Sequence, residues 1–352
     1  MQIPMTLRRL AAAAIVATLA LAPQASAENT APPHDVERHD SISVRIARRG
    51  IIIAQGDSTV RAMEPFCGNA DSGMAYAEVV NSYKAALGDS VSVYCMPIPT
   101  AVEYYCPVSA SDKTQKERPV MESLFGHLAE SVVAVDVYGV LKAHSGERIY
   151  SRTDHHWAPL GAYYAAREFA TKAGTPFADL ADYDKREVKD YVGSMYTFSR
   201  DPAVKASPEV FEYYVPRGVD YSATFTNYRL GRGHRVVRVE EPRQHDFFVS
   251  YPDGNRDAYC TFMGGDLRTV KVNTSTRNGR RLVILKDSYG NALPGYLFHS
   301  FEEIHVVDFR YFTRNIKSYV EDNRITDVLF ANNMMHACLK STHSAYQGLL
   351  SK

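Results

Sequence analysis

Short apolar runs alternate with helix-like segments along the first half of the chain. The runs at residues 50–55, 91–96 and 132–135 are typical of buried strands that end in turns. Residues 74–87 and 120–129 lie between these runs and carry apolar positions at helical spacing. This order predicts an α/β fold with a parallel sheet and helices on both faces. Such sheets bind ligands at the carboxyl ends of their strands.

The pattern changes at about residue 184. Short β-prone runs separated by Gly, Pro, Asn and Asp predict an irregular, strand-rich insertion over the sheet, at about 184–280. The alternation then returns, with apolar runs and helical segments at 282–285, 291–298, 304–307, 315–320 and 328–331. One α/β domain over residues 49–352, with an insertion, explains this order better than two domains.

The first 27 residues have the features of a secretory signal peptide. Arg8 and Arg9 precede the apolar run 10–22, and the small residues Ala25-Ser26-Ala27 follow at the spacing of a cleavage site. Residues 28–48 are polar and proline-bearing, which predicts a flexible start to the mature chain. We therefore expect an exported protein, periplasmic or extracellular after cleavage.

Charge and cysteine content narrow the possible partners. The chain has 40 basic and 40 acidic residues, so loss of Arg8 and Arg9 with the signal peptide leaves a net charge near −2. This balance gives no basic excess for nucleic acid, which is not an expected partner.

An odd number of cysteines in an exported chain implies at least one thiol outside any internal pair. The five are Cys67, Cys95, Cys106, Cys260 and Cys338, and Cys95–Cys106 is the first pairing to test.

The stretch from Arg152 to Trp157 concentrates reactive side chains on a loop before the predicted helix 159–172. Asp154 lies two residues from His156, so its carboxylate can fix the imidazole tautomer and support an imidazolium. A capped turn with one stacked histidine is the structural alternative. Metal binding by His155 and His156 is a weaker one, because neighbouring imidazoles diverge and no third ligand recurs at helical spacing. Trp157 is either a core residue, which we favour, or a platform for a sugar ring.

Ser288 is the candidate nucleophile. It follows an apolar strand and precedes Gly290, which places its hydroxyl at a strand-to-helix corner. Donors at such a corner contribute roughly 3–4 kcal/mol each to oxyanion stabilisation. Helix capping by Asp287 and Ser288 is the commoner role for such residues. Ser58 also follows an apolar strand, but the C-terminal region lacks the Asp-x-x-His that ordinary Gly-Asp-Ser esterases use, so we interpret it as a turn residue.

The chain resembles the DHHW protein family through the tetrapeptide at residues 154–157. The resemblance extends to other segments of the mature chain, namely residues 56–57, 96–100, 192–196, 286–289 and 307–312. This family is in turn similar to the alginate O-acetylation proteins, whose SGNH-hydrolase-like domain carries Thr-Asp-x-His-Trp ahead of a serine. The resemblance implies a flavodoxin-like α/β sheet and a triad in permuted order, with Asp and His before Ser.

The resemblance also implies roles for individual residues. Ser288 is the expected nucleophile, His156 the general base and then acid, and Asp154 the carboxylate that orients His156. Arg310 is the expected holder of an acyl or sugar oxygen. The residues expected to donate to an oxyanion or to line the site are Asn332 or Asn333, Tyr289 and Trp157.

These expectations converge on an exported serine-dependent O-acetyltransferase or acetylesterase. Its partner is a cell-surface or secreted polysaccharide or acetylated glycan, with a membrane-bound acetyl-donor system as a further expected partner, and no cofactor or metal is expected. The alternative, from a different class, is a non-catalytic carbohydrate-binding or cell-envelope assembly protein on the same fold.

Overall fold

The computed structural model describes residues 42–352. The predicted signal peptide and most of the predicted flexible segment lie outside these residues. The strands are β1 Ser43–Ile46, β2 Ile52–Gln55, β3 Val60–Met63, β4 Ser92–Cys95, β5 Val132–Ala134, β6 Tyr183–Tyr191, β7 Glu209–Pro216, β8 Tyr221–Leu230, β9 Val236–Val239, β10 Arg243–Gln244, β11 Arg268–Thr274, β12 Arg281–Lys286, β13 Glu303–Asp308 and β14 Asp327–Ala331.

Ten α-helical segments accompany the strands in this part of the chain. They are α1 Ala70–Leu87, α2 Ala101–Tyr105, α3 Arg118–Gly126, α4 Tyr138–Ala143, α5 Pro159–Ala173, α6 Ser194–Ser199, α7 Pro202–Lys205, α8 Ile316–Asp322, α9 Met334–Ala337 and α10 Lys340–Ser351. The fold is therefore mixed α/β, as predicted, but its strands form several sheets. None of the helices within residues 42–352 is long and apolar enough to cross a membrane.

Five parallel strands form one side of the largest sheet, in the order β13-β12-β14-β4-β5, with β5 at the edge. Successive side chains of a strand point to opposite faces, and the apolar run of β12 fills both. Leu282 and Ile284 pack into one core with Phe169 of α5. Val283 and Leu285 pack into a second core with residues of α1, α8 and α10. Burial on both faces explains why these strands have continuous apolar sequences.

The sequence predicts an insertion that lies over the sheet, and the structure differs for two of its strands. In the structure, β11 pairs antiparallel with β13 and β8 pairs antiparallel with β11, so both strands extend the sheet sideways. Strand β11 thereby satisfies the backbone groups at the outer edge of β13, and β8 satisfies those of β11. Strands β6 and β7 form a separate antiparallel pair.

Two predictions about the N-terminal region are corrected. Residues 50–55 do contain a strand, β2, but it belongs to a small antiparallel sheet with β1 and β3 rather than to the parallel sheet. The short turn at residues 56–59 returns the chain directly, which favours a hairpin over a parallel crossover. Strand β1 lies within the segment predicted to be flexible, because pairing with β2 satisfies its backbone.

The short segments after Ser288 differ from the predicted helix 291–298. Two 3₁₀ turns, Ser288–Ala292 and Pro294–Leu297, occupy this region. Pro294 lacks the N–H that a continuous helix would need at that position. The corner is therefore a strand followed by a tight turn, and no extended helix dipole points at Ser288.

The five cysteines are all free thiols. Pairing of Cys95 with Cys106 is wrong, because the two side chains lie on opposite faces of the sheet. Cys95 is buried in the core beneath α1, whereas Cys106 packs against the core on the α5 side.

Candidate active site

The carboxyl ends of three central strands bring separate parts of the sequence to one edge. Asp287 and Ser288 follow β12, Asn332 and Asn333 follow β14, and Arg310 follows β13. The Asp154 loop, which we define as residues 150–157, meets the same edge. Its Arg152 carbonyl accepts a 2.9 Å hydrogen bond from the backbone of Ala62 in β3.

Asp287 caps the turn that carries Ser288. Its Oδ1 accepts the backbone N–H of Tyr289 at 2.9 Å. Its Oδ2 accepts the backbone N–H of Asn333 at 2.9 Å and Nδ2 of Asn332 at 3.2 Å. The capping role expected for this corner therefore falls to Asp287. The Ser288 hydroxyl is left to interact elsewhere.

Ser288, His156 and Asp154 form a continuous hydrogen-bonded line. Ser288 Oγ lies 2.8 Å from His156 Nε2, and His156 Nδ1 lies 2.6 Å from Asp154 Oδ1. Ser288 is partly exposed, whereas His156 is 7% and Asp154 4% exposed. The structure thus brings together residues 132 positions apart in the geometry in which an imidazole can remove a hydroxyl proton.

The Asp154 carboxylate is held on both oxygens. Oδ1 also accepts the backbone N–H of His156 at 3.0 Å, and Oδ2 accepts the backbone N–H of Ser194 at 2.8 Å. Burial alone raises a carboxyl pKa, but the neighbouring imidazoles of His156 and His155 and these hydrogen bonds outweigh it. The pKa of Asp154 accordingly lies well below its usual value. Gly193 contacts this carboxylate so closely that a Cβ there would clash with Oδ2.

Aromatic rings fix the orientation of His156. The ring of Tyr259 stacks on the imidazole with centroids 3.7 Å apart and planes 7° apart. The Tyr259 hydroxyl donates to the carbonyls of Ser288 and Tyr289 at 3.0 and 2.9 Å. One tyrosine therefore contacts the base and ties down the turn of the nucleophile. Sequence reasoning missed it, because it lies in an irregular stretch with no motif.

His155 occupies a supporting position beside His156. Its ring centroid is 3.7 Å from that of His156, and its Nδ1 is 2.5 Å from Ser194 Oγ. Burial, followed by the neighbouring His156, lowers the pKa of His155 to about 3. Its ring is therefore neutral at physiological pH.

Asp154, His155 and His156 also place potential metal-ligand atoms within 4.8 Å of one another. Both ring nitrogens of His156 and Nδ1 of His155 are already engaged in hydrogen bonds. A metal ion bound here would have to displace them, so this donor set fits proton transfer better than metal binding.

Trp157 and Tyr289 are structural neighbours of the site. Trp157 has no exposed surface, and its Nε1 donates to the Tyr289 carbonyl at 3.0 Å. A sugar platform does not fit a fully buried ring, and the core interpretation is the one that agrees with the structure. Tyr289 is 2% exposed, and its hydroxyl donates to the carbonyl of His155. This bond joins the turn of Ser288 to the Asp154 loop.

Arg310 belongs to a partly buried ion network. Its Nε and Nη2 bind Asp308 at 2.8 and 2.6 Å, and Nη2 also binds Asp266 at 2.9 Å. Lys286 Nζ bridges the same two carboxylates, at 2.8 Å from Asp308 and 3.1 Å from Asp266. These contacts leave only Nη1 of Arg310 without an acceptor in residues 42–352. Arg310 is expected to hold a substrate oxygen, and only Nη1 remains available for that role.

The two asparagines after β14 face different environments. Asn332 is fully buried, and its Oδ1 accepts the hydroxyls of Tyr76 and Tyr346 at 2.5 and 2.8 Å. Together with the bond from Nδ2 to Asp287, this uses its side chain, so Asn332 does not fit the expected oxyanion donor. Asn333 lines a cavity of about 310 Å³ together with His155 and Tyr289.

The same cavity contains two ionisable residues that sequence reasoning did not select. His336 Nδ1 lies 3.3 Å from Asp287 Oδ2. Glu64 follows β3, and its carboxylate has no hydrogen-bond donor in the described part of the chain. Burial is the main cause that raises the pKa of Glu64. By contrast, Ser58 lies in the exposed turn between β2 and β3, as expected.

A family model and two solved structures with TM-scores above 0.6 agree with this fold. A family model described as "DHHW protein" matches residues 47–307. The structure of a DHHW family protein from Eubacterium siraeum is 37% identical, covers 86% of this chain and 97% of that chain, and has a TM-score of 0.78. Bacillus cereus PatB1, solved with a sulfonyl adduct, is 18% identical over 82% of this chain and 96% of its own, with a TM-score of 0.65. The O-acetyltransferase domain of Pseudomonas putida AlgJ is 12% identical over 88% of this chain and 100% of that domain, with a TM-score of 0.45. A search of curated proteins finds no match.

Proposed function

The chain belongs to the DHHW protein family, and from this premise and the geometry of its site we propose that it is a serine-dependent acyl-transfer enzyme. The observation that carries the proposal is the line from Ser288 Oγ through His156 to Asp154, with steps of 2.8 and 2.6 Å. The acyl group is acetyl, carried on a hydroxyl of a polysaccharide. Ser288, His156 and Asp154 are the catalytic residues.

In the first half-reaction, His156 Nε2 takes the proton of Ser288 as Oγ attacks the acetyl carbonyl carbon. The tetrahedral intermediate then collapses, the bond to the leaving sugar oxygen breaks, and that oxygen takes the proton back from His156. Asp154 holds the proton on Nδ1 throughout and stabilises the imidazolium. The product is an acetyl ester on Ser288.

In the second half-reaction, water or a sugar hydroxyl gives its proton to His156 and attacks the acetyl carbon. Ser288 Oγ leaves and regains a proton from His156. Water as the acceptor makes the enzyme an esterase, and a sugar hydroxyl makes it a transferase. The half-buried Glu64 lines the adjacent cavity and is a suitable hydrogen-bond acceptor for that hydroxyl.

Asn333 is the proposed side-chain donor to the oxyanion. Its backbone N–H is anchored on Asp287 at 2.9 Å, which fixes it relative to the turn of Ser288. Its side chain lines the cavity next to Tyr289. Its Oδ1 accepts the backbone N–H of His336 at 3.0 Å and its Nδ2 lies 3.1 Å from His336 Nδ1, so the second N–H of Nδ2 is the proposed donor. Loss of one such donor typically costs about 3–4 kcal/mol in transition-state stabilisation.

Strand order supports an SGNH-like, flavodoxin-like core in permuted form. If the five parallel strands are numbered from β12, which bears Ser288, through β13, β14, β4 and β5, their spatial order is 2-1-3-4-5. That is the flavodoxin-like order, with its ligand site at the carboxyl edge near strand 1. The permutation accounts for a chain order in which Asp154 and His156 precede Ser288. Export to the periplasm or beyond, with residues 1–27 as signal peptide, completes the proposal.

Acyl-enzyme formation tests the proposal. The mature protein is mixed with p-nitrophenyl acetate, and nitrophenol release and the mass of the intact protein are measured. Wild type should show a burst and a gain of one acetyl group on Ser288, whereas Ser288→Ala and His156→Ala should lose both. Equal rates for wild type and Ser288→Ala would overturn the assignment and favour a non-catalytic glycan-binding protein.

A further inference from the structure

A second cleft, of about 650 Å³, lies behind the Asp154 loop and contains an unusual arginine. Arg61 extends from β3 with its guanidinium carbon 4.0 Å from the ring centroid of Tyr105. Its Nη1 donates to the carbonyls of Ser151 and Tyr150, at 3.1 and 3.5 Å. Within residues 42–352, Nε and Nη2 have no acceptor. The guanidinium is thus held from one side, and its remaining N–H groups are unused.

The charge of Arg61 also lacks a counter-ion in direct contact. No carboxylate of the described residues lies within ion-pair distance of it; burial, the main cause, lowers the pKa of its guanidinium, and the more distant charge of Glu209 opposes this without cancelling it. Charged groups withdrawn from water are normally paired, because desolvation is otherwise uncompensated. An unpaired guanidinium in the wall of an open cleft therefore indicates that its anion comes from a ligand.

The carboxylates that line the cleft form hydrogen bonds with other groups and not with Arg61. Glu209 binds the Asp154 loop: its carboxylate accepts hydrogen bonds from the backbone N–H groups of Arg152 and Thr153 at 2.7–3.0 Å. Glu147 accepts from the Tyr164 hydroxyl at 2.8 Å and lies 2.5 Å from His144 Nδ1. The remaining charged lining residues are Arg148, Arg152, Lys189 and Asp190. Together with Glu147 and Glu209 they make three basic and three acidic neighbours, so Arg61 itself gives the cleft its one net positive charge.

We propose that this cleft is a binding site for an acidic sugar, with the carboxylate of a uronic acid paired to Nε and Nη2 of Arg61. Arginine binds planar carboxylates through two parallel N–H groups, which is the pair that Arg61 has unused. The volume is in the range of sites for small organic ligands. That the anion is carried on a sugar rests on the proposed function, whereas carboxylate binding does not.

The cleft lies near the Asp154 loop, so a ligand bound at Arg61 can position the rest of the substrate. Ser151, whose carbonyl accepts from Arg61, is five residues from His156, so their Cα atoms are at most about 18 Å apart. An acidic unit at Arg61 therefore lies close to the loop that carries Asp154 and His156. We infer that it anchors one unit of a glycan whose acetylated unit reaches Ser288.

Isothermal titration with an unacetylated digalacturonate tests the site without any acyl-transfer step. Wild type should bind it at least ten-fold more tightly than a neutral disaccharide of the same size, and added salt should weaken the binding. Inorganic phosphate serves as a bare oxyanion and should bind more weakly than the digalacturonate. Equal binding of acidic and neutral disaccharides would overturn the proposal, and tight binding of phosphate alone would overturn its sugar part.

Variants locate the binding on Arg61. Arg61→Gln should weaken digalacturonate binding at least ten-fold, and Arg61→Lys should weaken it less, because lysine keeps the charge but loses the two-point contact. Lys189→Gln, at the exposed rim, should weaken it two- to five-fold. The matched control Arg256→Gln removes an exposed arginine outside the cleft and should bind as wild type. A folded Arg61→Gln variant that binds the digalacturonate as wild type does would contradict the proposal. Thermal unfolding of each variant separates loss of binding from loss of fold.

Since the disaccharide carries no acetyl group, this result is independent of the burst assay. If the protein binds the digalacturonate but Ser288 is not acetylated, the proposed function is wrong and the acidic-sugar site stands. If Ser288 is acetylated but the digalacturonate does not bind, the proposed function stands and the site is wrong.

Discussion

Two Asp–His pairs flank Ser288, and they differ in what the histidine reaches. In the first pair, Asp154 and His156 are 2.6 Å apart, and the far nitrogen of His156 meets Ser288 Oγ. In the second, His336 lies 3.3 Å from Asp287, and its Nδ1 is also 3.1 Å from Asn333 Nδ2. No hydrogen bond joins His336 to Ser288 in the described residues.

The carboxylates differ in the same way. Both carboxylates accept two backbone N–H groups, but Asp154 makes its shortest contact, 2.6 Å, with an imidazole, whereas Asp287 also accepts from Asn332 and lies 3.3 Å from His336. The shorter contact is the better placed to stabilise a transient positive charge on the imidazole. An Asp–His contact alone therefore does not identify a catalytic pair. What distinguishes the proposed catalytic pair is the partner of the second ring nitrogen, Ser288 Oγ.

Asp154→Asn should produce the largest effect that distinguishes the two pairs. Asparagine keeps the shape but not the charge that supports the imidazolium, and in Ser-His-Asp enzymes this change costs about 10⁴-fold in rate. We expect a loss of about 10³- to 10⁴-fold in the burst rate with p-nitrophenyl acetate. A loss of less than ten-fold would place Asp154 in the same structural class as Asp287.

Gly193→Ala should give the next largest effect. Gly193 has φ of −83°, which any residue adopts, so the clash of the new Cβ with the Asp154 carboxylate is the cause, not backbone strain. A displacement of about 1 Å in a catalytic group can cost 10²-fold, and we expect a 10- to 100-fold loss in burst rate. The control Gly348→Ala, in α10 with open space around it, should keep the wild-type rate. Full activity of Gly193→Ala would show that Asp154 tolerates displacement.

Asp287→Asn should affect stability more than chemistry. Burial raises the pKa of Asp287, but its hydrogen bond with His336 and the neighbouring charges outweigh this and hold the pKa at about 2. Because the pKa is depressed on folding, the ionised group stabilises the fold above roughly pH 4, and this contribution is lost as pH falls towards 2. We expect Asp287→Asn to lower the free energy of unfolding by about 2 kcal/mol at pH 7. Urea titrations at pH 7 and pH 3 should show the difference shrinking at the lower pH.

His336→Gln should have the smallest effect. Burial lowers the pKa of His336, but the hydrogen bond and charge of Asp287 outweigh it, so the pKa is raised. A raised pKa means that the pair stabilises the fold fully below the unfolded value, roughly pH 6.5, and that this is lost as pH rises through the folded value. We expect wild type to exceed His336→Gln by about 1 kcal/mol at pH 5.5 and by less at pH 9. The burst rate should fall less than five-fold. A loss comparable to that of Asp154→Asn would make His336 a second base.

Much of the site could be predicted from local sequence. Asp154 and His156 are two residues apart, and Ser288 directly follows a buried strand, so their chemistry is visible without the fold. The continuous apolar runs of β4, β12, β13 and β14 also identify the strands that carry the site. The capping alternative for the Ser288 corner was partly right, because Asp287 fills that role.

The partners that tune these residues could not be predicted. Tyr259 contacts His156 from a segment without any motif, and Arg310 is engaged by Asp266 from the region that extends the sheet. Gly193 and Ser194 lie in segment 192–196, which carries the family resemblance, but their contacts with Asp154 depend on packing between distant segments. The unpaired state of Arg61 is equally invisible in sequence, since it depends on which carboxylates other groups have already used.

The sequence by itself therefore determined the reactive residues and the strands that present them. Both depend on side-chain chemistry and on periodicity over a few neighbouring positions. Only the tertiary structure decided which groups hold Asp154 and His156 in place, which asparagine faces the cavity, and which arginine has no carboxylate in direct contact. These outcomes depend on the packing of segments that are far apart in the sequence. Once one donor has bound an acceptor there, that acceptor is no longer available to a neighbouring donor.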